Sequence, residues 1–365
     1  MSAAGATPIA LVCGQLGYGG AERQLAELAT RLRGQGFAAS VYCLSADDVP
    51  YGPWLESRGV PVRRLPRRHG FDLARAVALA RALRRDSAVL VHSYLIDTNP
   101  YSVLAARLAG ISRTVASNRN VDFPRGPLRA ALDRVVFRSA SAIVVNAGAV
   151  RTFTAARFGV ADGRFTVIYN GVDLERFHPV ERPSGAPLRI GTVGRLEPKK
   201  NPELFVDVAL ALARRFPGLE VVHLGDGPLR DALVRRAGDA VRFLGASVDV
   251  ESFLASLDVF VLTSDREGCP NVALEAMASG LPVVTTAVGG ASEIVREGIT
   301  GYLVPRADAA AMIERVGELL GDAEQRRLMG WAARREAECR FSVERMVEEM
   351  ATLYRRLLGR SGNGA

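Results

Sequence analysis

The sequence predicts an α/β protein of two domains, each built on a parallel sheet with helices on both faces. Short apolar runs rich in β-branched residues alternate with helical patterns along nearly the whole chain, and such alternation is typical of parallel sheets. A length of 365 residues suggests two domains rather than one. The segment 181–187, ERPSGAP, interrupts the pattern, which then starts again.

These observations divide the chain. We expect a first domain at residues 1–180, a linker at 181–187 and a second domain at 188–342. A long helical pattern in the last segment, 343–365, is expected to pack back on the first domain. No apolar run approaches the roughly 20 residues that a membrane span needs. The first residues, MSAAGATP, lack the charged start of a signal peptide, so we expect a cytoplasmic location.

The first domain begins with a strand at 9–13, a glycine-rich turn at 14–20 and a helix from 21 to about 33. Glycines there would let backbone N–H groups approach a ligand oxygen, although an ordinary tight turn is an open alternative. The turn is not the GxGxxG fingerprint, and no acidic residue follows the second strand at 39–44, which argues against a nicotinamide dehydrogenase. Further strands are predicted at 60–63, 88–92, 114–116, 142–145 and 165–168, and helices at 73–85, 101–109, 128–137 and 147–158.

In the second domain, three turns at strand ends carry polar residues. They are GRLEPKKN at 194–201, GDGP at 225–228 and EGCPN at 267–271. Because the carboxyl ends of parallel strands meet at one edge of a sheet, the three turns should line one crevice. Strands are predicted at 188–193, 219–224, 241–244, 257–262, 283–286 and 302–305, and helices at 202–215, 228–237, 248–255, 271–279, 309–320, 324–339 and 343–358.

The side chains of these turns suit an anionic ligand. Arg195 offers a planar fork and Lys200 a compact positive charge, a combination that suits a diphosphate. The chain has only two lysines among 47 basic residues, and they are adjacent in this one turn. Glu267 lies in a turn, whereas Glu275 lies more than one helical turn further on, so the two could contact different parts of one extended ligand. No other carboxylate or histidine cluster accompanies them, so we favour ligand contacts over a metal pair.

The distribution of charge and the spacing of the cysteines indicate which kinds of partner and metal site are expected. Residues 1–185 carry a net charge of +10 and residues 186–365 a net charge of −2, with nine arginines between positions 58 and 85. This asymmetry suggests an anionic partner such as a membrane surface, although solvated arginine-rich helix faces are an open alternative. Nucleic acid is disfavoured because the basic half has no series of aromatic residues for base stacking. The four cysteines are far apart and form no CxxC pair, which indicates free thiols rather than a zinc site.

Taken together, the sequence resembles the retaining, nucleotide-sugar-dependent glycosyltransferases of family 4. The resemblance covers nearly the whole chain and implies the GT-B fold, in which two Rossmann-like αβα domains face each other across a cleft. It rests on the segments GGAE at 19–22, NGVD at 170–173, GRL at 194–196 with KN at 200–201, GDG at 225–227 and EGCPNVALE at 267–275. The last segment looks like the E-x7-E signature of that family.

The resemblance implies a role for each motif. Glu267, Arg195 and Lys200 would be the catalytic residues, and Glu275 would bind the ribose. Leu244 would lie near the base. The donor diphosphate would be bound by Gly19, Gly20, Arg195, Lys200, Gly268, Asn271 and Val272. No metal or other cofactor is implied, because the cationic side chains and a helix N-terminus supply the charge stabilisation.

The sequence departs from the family at one position. Many members carry a histidine after the strand predicted at 114–116, directed at the donor sugar, whereas this chain reads SNRN at 117–120. His92, Asn118 and Arg119 are therefore the candidates for contacts with the donor sugar or the acceptor, and a structural role for His92 stays open.

We thus expect transfer of a hexose or N-acetylhexosamine from a UDP-sugar, in preference to a GDP-sugar, to a glycan or lipid-linked acceptor. Such a reaction serves polysaccharide biosynthesis, and the arginine-rich first domain would hold the enzyme at the inner face of the cytoplasmic membrane. Two alternatives remain open. One is a UDP-sugar 2-epimerase of the same architecture, and the other is a non-catalytic module that binds sugar nucleotides.

Overall fold

The computed structural model describes residues 5–66, 72–121, 126–183, 185–247 and 249–359, and in it the chain forms two compact units. The first unit extends to Gly171 and also contains the segment from Val343 onward, and the second runs from Val172 to Ser342. The boundary thus lies before the predicted position at 180. The Val172 N–H donates to the Phe341 carbonyl at 2.8 Å, which attaches the segment after Gly171 to the second unit.

The first unit contains a seven-stranded parallel sheet in the order β3-β2-β1-β4-β5-β6-β7. Its strands are β1 Thr7–Cys13, β2 Phe37–Cys43, β3 Val62–Arg64, β4 Leu90–Ser93, β5 Thr114–Asn118, β6 Ala142–Val145 and β7 Phe165–Val167. Its helices are α1 Gly20–Arg31, α2 Tyr51–Glu56, α3 Leu73–Arg85, α4 Asn99–Ala109, α5 Pro127–Ser139, α6 Gly148–Phe158 and, after the second unit, α14 Val343–Leu357. Successive strand residues face opposite sides, so β1 contributes Leu11 to one core cluster and Val12 to another.

The C-terminal helix α14 packs within the first unit because it is strongly amphipathic. Met346, Met350 and Tyr354 lie on one side of the helix at a spacing of four residues, and all three are buried. They belong to the same core cluster as Leu11 of β1 and Leu25 of α1. The chain therefore returns to its first unit after completing the second.

The second unit contains a six-stranded parallel sheet in the order β10-β9-β8-β11-β12-β13. Its strands are β8 Arg189–Val193, β9 Glu220–Leu224, β10 Arg242–Phe243, β11 Val259–Leu262, β12 Val283–Thr286 and β13 Gly301–Val304. Its helices are α7 Pro202–Arg215, α8 Arg230–Ala237, α9 Val250–Ala255, α10 Asn271–Ala278, α11 Ala291–Ile294, α12 Ala309–Gly321 and α13 Ala323–Arg340.

A few elements differ from those expected from the sequence. Helix α2 was not predicted, because a six-residue helix leaves too short a periodic pattern. Helix α9 begins at Val250 rather than at residue 248, which lies outside the described residues. The Asp249 side chain accepts a hydrogen bond from the Ser252 N–H at 3.1 Å and caps that helix. Strand β5 continues to Asn118, two residues beyond its predicted end.

In both sheets, the strand order reverses beside the strand that comes first in the chain. The order runs in opposite directions from β1 and β4 in the first unit and from β8 and β11 in the second. Ligands of parallel α/β sheets bind at the carboxyl ends of the strands that flank such a reversal. Two of the polar turns predicted from the sequence lie after β8 and β11. Among the described residues, no helix combines the length and apolar character needed to cross a membrane.

Candidate functional site

Two oppositely charged side chains meet where β8 and β11 end. The Nζ of Lys200 lies 2.7 Å from the Oε1 of Glu267, and the hydroxyl of Ser264 donates to the same oxygen at 2.6 Å. Glu267 is 6% exposed, whereas the Lys200 side chain is 24% exposed. The predicted phosphate-binding lysine and the predicted sugar-contacting glutamate are therefore joined in one ion pair.

Backbone contacts between the two turns hold this pair in place. The Thr263 hydroxyl donates to the carbonyl oxygens of Lys200 and Asn201, at 3.1 and 2.9 Å. The Asp265 N–H donates to the Lys199 carbonyl at 3.0 Å, and the Asn201 side chain donates to the Asp265 carboxylate at 3.1 Å. Asn201 itself has a φ of 46°, a left-handed conformation that asparagine tolerates. The turn after β8 is thus fixed to the turn after β11.

The environment keeps Glu267 ionised. Burial acts to raise the pKa of its carboxyl, but the nearby Lys200 ammonium and the hydrogen bonds from Lys200 and Ser264 outweigh burial and lower the pKa below its ordinary value. A carboxylate in this state accepts hydrogen bonds and stabilises positive charge, whereas it is a poor proton donor at neutral pH.

Glycines allow two close backbone approaches around the site. A Cβ on Gly289 would lie 1.8 Å from the Glu267 carbonyl oxygen, and Gly289 has a φ of 52°. A Cβ on Gly225 would lie 1.9 Å from the Gly194 carbonyl oxygen, and Gly225 has a φ of 136°. The predicted GDG turn therefore contacts the turn that leads to Lys200, as its place at a neighbouring strand end requires.

Helix α10 begins directly after the glutamate turn. Ala273 and Leu274 donate the first intrahelical bonds, both to the Pro270 carbonyl. Asn271 and Val272 thus form the first turn of the helix, where the positive end of the helix dipole favours an anion. Pro270 is extended and caps the helix.

The other predicted donor residues of the second unit differ in exposure. Gly268 is buried in the turn that precedes α10. Glu275, one helical turn after Asn271, is 1% exposed, so only a group that enters the protein surface could reach it. Arg195 is 73% exposed and lies 3.7 Å from the Glu197 carboxylate, which leaves its guanidinium able to move onto a ligand. Leu244 is 42% exposed beside the edge strand β10.

In the first unit, Gly19 makes room for a buried carboxylate. Gly19 precedes α1 in an extended conformation, Gly20 is the first residue of that helix, and a Cβ on Gly19 would lie 2.0 Å from the Oε2 of Glu22. Burial raises the pKa of Glu22, and hydrogen bonding together with the Arg119 charge opposes this effect only in part. Glu22 is thus a buried acid at the start of α1. It belongs to the GGAE segment, but no role was predicted for it from the sequence.

The predicted contact of His92 with a donor sugar is not available in this structure. His92 is fully buried, its Nδ1 lies 2.6 Å from the Tyr354 hydroxyl and its Nε2 lies 2.7 Å from the Ser117 hydroxyl. Burial and the Arg119 charge lower the pKa of His92 to about 3, so the ring is neutral. Its position at the end of β4 suggested a ligand contact, but helix α14 covers that face of the sheet.

Asn118 and Arg119 are also buried, at 1% and 6% exposure. The Asn118 amide donates to the Thr154 hydroxyl at 2.7 Å. The Arg119 guanidinium donates to the Asn170 side chain at 2.5 Å and lies 4.5 Å above the Tyr94 ring. The structure brings Arg119 close to His92 and Glu22 in one buried polar group, in which Arg119 is the central cation.

Sequence reasoning missed two residues that shape the site. Thr263 and Ser264 follow β11 directly. Thr263 contacts the Lys200 turn and Ser264 binds Glu267, and two adjacent hydroxyl residues after a strand were the signal that could have found them. No cluster of three or more histidine, cysteine or acidic side chains suited to a metal ion occurs in the part of the chain that the structure describes.

Solved structures share this architecture. Alr3699/HepE of Anabaena in complex with UDP-glucose superimposes with a TM-score of 0.84 at 22% identity, and the match covers 96% of this chain and 99% of that one. Such an identity establishes the fold only. The chain has the GT-B fold, as the sequence predicted.

Sequence comparison identifies the family. Residues 18–176 match the profile described as Glycosyltransferase Family 4, and residues 187–322 match the one described as Glycosyl transferases group 1. The chain belongs to glycosyltransferase family 4.

Two curated relatives are D-inositol 3-phosphate glycosyltransferases. The protein of Corynebacterium urealyticum is 32% identical over 250 residues, which cover 62% of this chain and 59% of the relative. That of Mycobacterium tuberculosis strain H37Ra is 31% identical over 283 residues, which cover 70% of this chain and 58% of the relative. The aligned part of the chain therefore spans less than two thirds of either relative.

Proposed function

We propose that this protein is a retaining glycosyltransferase that moves a hexose or N-acetylhexosamine from a UDP-sugar to a glycan or lipid-linked acceptor. The observation that carries the proposal is the 2.7 Å contact between Lys200 and Glu267. It joins a cation and an ionised carboxylate at the reversal of strand order, beside the N-terminus of α10. A nucleotide sugar offers matching groups, since it has a diphosphate for the cation and sugar hydroxyls for the carboxylate.

The chemistry follows from the charges. Departure of the nucleoside diphosphate leaves negative charge on a phosphate oxygen and positive charge on the sugar. Lys200, the exposed guanidinium of Arg195 and the amides of α10 would stabilise the negative charge. Glu267 would face the developing positive charge of the sugar. The pKa of Glu267 is lowered, which makes this carboxylate a weak base, so the proton of the acceptor would pass to the leaving phosphate instead.

The choice of donor has support outside the chain. The structural neighbour from Anabaena was crystallised with UDP-glucose, which favours a UDP-sugar over a GDP-sugar here. Leu244, half exposed at the edge of the sheet, offers an apolar surface for the base. Glu275 would receive the ribose hydroxyls, which a buried carboxylate binds strongly.

The test is a panel of UDP- and GDP-sugars with the protein alone and with candidate acceptors. We expect binding of a UDP-sugar, slow hydrolysis of that donor, and transfer with retention of the anomeric configuration, measured by proton NMR. Activity should persist in EDTA, because the protein supplies the positive charges. Lys200→Ala should abolish turnover, whereas the adjacent Lys199→Ala should retain at least half of it. Epimerised donor without acceptor would identify the epimerase, and binding without transfer or hydrolysis would identify the non-catalytic module.

A membrane surface is the partner we propose for the exposed side of α5. Leu128, Ala131 and Val135 are exposed at helical spacing, and Arg134 and Arg138 are exposed between and after them. This arrangement suits the headgroup region of an anionic bilayer, where apolar side chains insert and arginines contact phosphates. The protein should sediment with vesicles that contain anionic lipid and not with neutral ones. Leu128→Gln with Val135→Gln should lower the bound fraction, and full binding by this variant would contradict the proposal.

A further inference from the structure

A cavity of about 700 Å³ opens within the first unit at the carboxyl ends of its strands. Its lining includes Gly14 after β1, Leu44 after β2 and Pro66 after β3, together with Arg75, Tyr101 and Arg129. The cavity adjoins the reversal of strand order between β1 and β4, where parallel sheets bind ligands. Its volume lies in the range of small-molecule sites.

The wall of this cavity contains an unusual cation. Arg75 and Arg119 are the buried arginines among the described residues, at 9% and 6% exposure. Arg119 has a neighbouring acid, since its charge acts on Glu22. Arg75 has no carboxylate within ion-pair distance of its guanidinium in the described chain, and its Nε has no hydrogen-bond partner there. Asp72 accepts from the backbone N–H of Arg75 at 3.1 Å and thereby caps α3.

The groups that contact the Arg75 guanidinium carry no charge. Its Nη1 donates to the Leu44 carbonyl at 2.9 Å, and its guanidinium lies 4.0 Å above the Tyr101 ring. A carbonyl and an aromatic face orient a guanidinium without cancelling its charge. A buried cation that lacks a counter-ion is costly, and an anion in the cavity would remove that cost.

The remaining polar groups of the wall fit a phosphorylated, hydroxyl-bearing ligand. Arg129 lies 3.3 Å from Asp97 and 3.5 Å from Asp133, so its charge is largely balanced and it shapes the cavity more than it attracts an anion. Ser45, also in the wall, accepts from the Asp47 N–H at 3.1 Å, and its own O–H can donate to a ligand. Asp97 also lines the cavity but lies beside Arg129, so the planar fork of Arg75 can bind a phosphate.

We infer that this cavity is the acceptor site and that Arg75 binds a phosphate group of the acceptor. The inference rests on the proposed glycosyl transfer, and it adds the class of acceptor, a phosphorylated polyol or sugar. The curated relatives are named for a phosphorylated polyol, D-inositol 3-phosphate, but the residues that carry the inference are those of this chain. The phosphate could belong to a soluble compound or to a lipid headgroup, and the same arginine would recognise both.

The experiment is a calorimetric titration of the full chain with D-inositol 3-phosphate, with inositol and with UDP. The wild-type protein should bind the phosphorylated polyol and bind inositol at least ten-fold more weakly. Arg75→Gln should weaken binding of the phosphate compound by about 10- to 100-fold, the range of a lost charge-assisted hydrogen bond. Arg81→Gln, an exposed arginine on the same helix α3, is the matched control and should bind as the wild type does.

Two further variants guard against a folding defect, which thermal melts would reveal. Arg75→Lys keeps the charge without the planar fork and should bind with intermediate affinity. Ala46→Trp keeps Arg75 but places a large ring at the exposed rim of the cavity, and it should also weaken binding. The inference is overturned if both Arg75 variants bind the phosphate compound as tightly as the wild type, or if inositol binds equally well.

The source of the phosphate is decided with vesicles that contain phosphatidylinositol. Sensitivity of vesicle binding to Arg75→Gln identifies a lipid headgroup, and sensitivity of the soluble titration alone identifies a free phosphate ester. Either result supports phosphate recognition. The UDP titration is separate, because Arg75 is not among the residues expected to bind the donor. If the wild-type protein does not bind UDP, the proposed function is refuted. If it binds UDP but does not bind D-inositol 3-phosphate, the acceptor site alone is refuted.

Discussion

Lys200 and Glu267 are 67 positions apart in the chain, yet the Lys200 ammonium lies 2.7 Å from the Glu267 carboxylate. The pair exists because β8 and β11 are neighbours in a parallel sheet and both end at the same edge. Each residue alone is an ordinary charged side chain. Together they form a partly buried ion pair. Its cation is the more exposed member and can therefore also contact a ligand.

Single and double variants of this pair should affect the stability of the protein and its turnover differently. Lys200→Met leaves a buried carboxylate without its cation, which should lower the free energy of unfolding by about 2 kcal/mol and turnover by at least about 100-fold. Glu267→Gln should lower turnover similarly. In the double variant, stability should recover in part because no charge is left unpaired, while turnover stays low. Urea unfolding and donor hydrolysis measure the two quantities, and additive stability losses would contradict the pairing.

The buried histidine predicts a pH dependence of stability. The pKa of His92 falls from an ordinary 6.5 to about 3 on folding, so between these values the unfolded chain binds a proton that the folded chain does not. Stability is therefore complete above pH 6.5 and decreases as the pH falls toward 3, by up to about 1.4 kcal/mol per pH unit. His223, with a pKa lowered by burial to about 4, acts in the same direction.

The measurement is urea unfolding at several values between pH 4 and 7. His92→Gln should reduce the slope by up to one proton. His178→Gln, at an exposed position, should leave the slope as it is in the wild type. An unchanged slope in the His92 variant would show that this ring is not held neutral.

Tyr354 attaches the C-terminal helix to the centre of the first sheet. Its hydroxyl lies 2.6 Å from the Nδ1 of His92, and both side chains are fully buried. Tyr354→Phe keeps the ring packing but removes the partner of a buried nitrogen, so we expect a loss of about 1–3 kcal/mol in thermal or urea unfolding. Tyr18→Phe, at a residue that is 69% exposed, should change stability by less than about 0.5 kcal/mol. Equal effects of the two variants would contradict this role.

Gly289 is predicted to be required for the shape of the glutamate turn. A Cβ there would lie 1.8 Å from the Glu267 carbonyl oxygen, whereas Gly298, which also has a positive φ, has no atom within 4 Å of such a Cβ. Gly298→Ala should cost about 1 kcal/mol for the backbone conformation alone. Gly289→Ala should cost about 2–4 kcal/mol and weaken donor binding, because the turn must move. Similar losses in both variants would show that the close approach is unimportant.

Much of the fold could be predicted because local pattern and topology agree. The alternation of strands and helices predicted two parallel sheets, and the turns at 194–201 and 267–271 were expected at one edge because parallel strands share their direction. The structure brings Lys200 and Glu267 together there. Glu22 could not be assigned a role in this way, since its burial depends on the absence of a side chain at Gly19 and on the approach of Arg119 from β5.

The amino-acid sequence by itself determined the class of fold, the family and the charged residues of the donor turns, because each depends on short-range pattern. Tertiary structure alone decided that His92 is buried against Tyr354, since the helix that covers it begins some 250 positions later in the chain. The same is true of Arg75, which is one arginine among many in the sequence. Burial without a carboxylate partner distinguishes it, and burial is a property of the packed chain rather than of any segment.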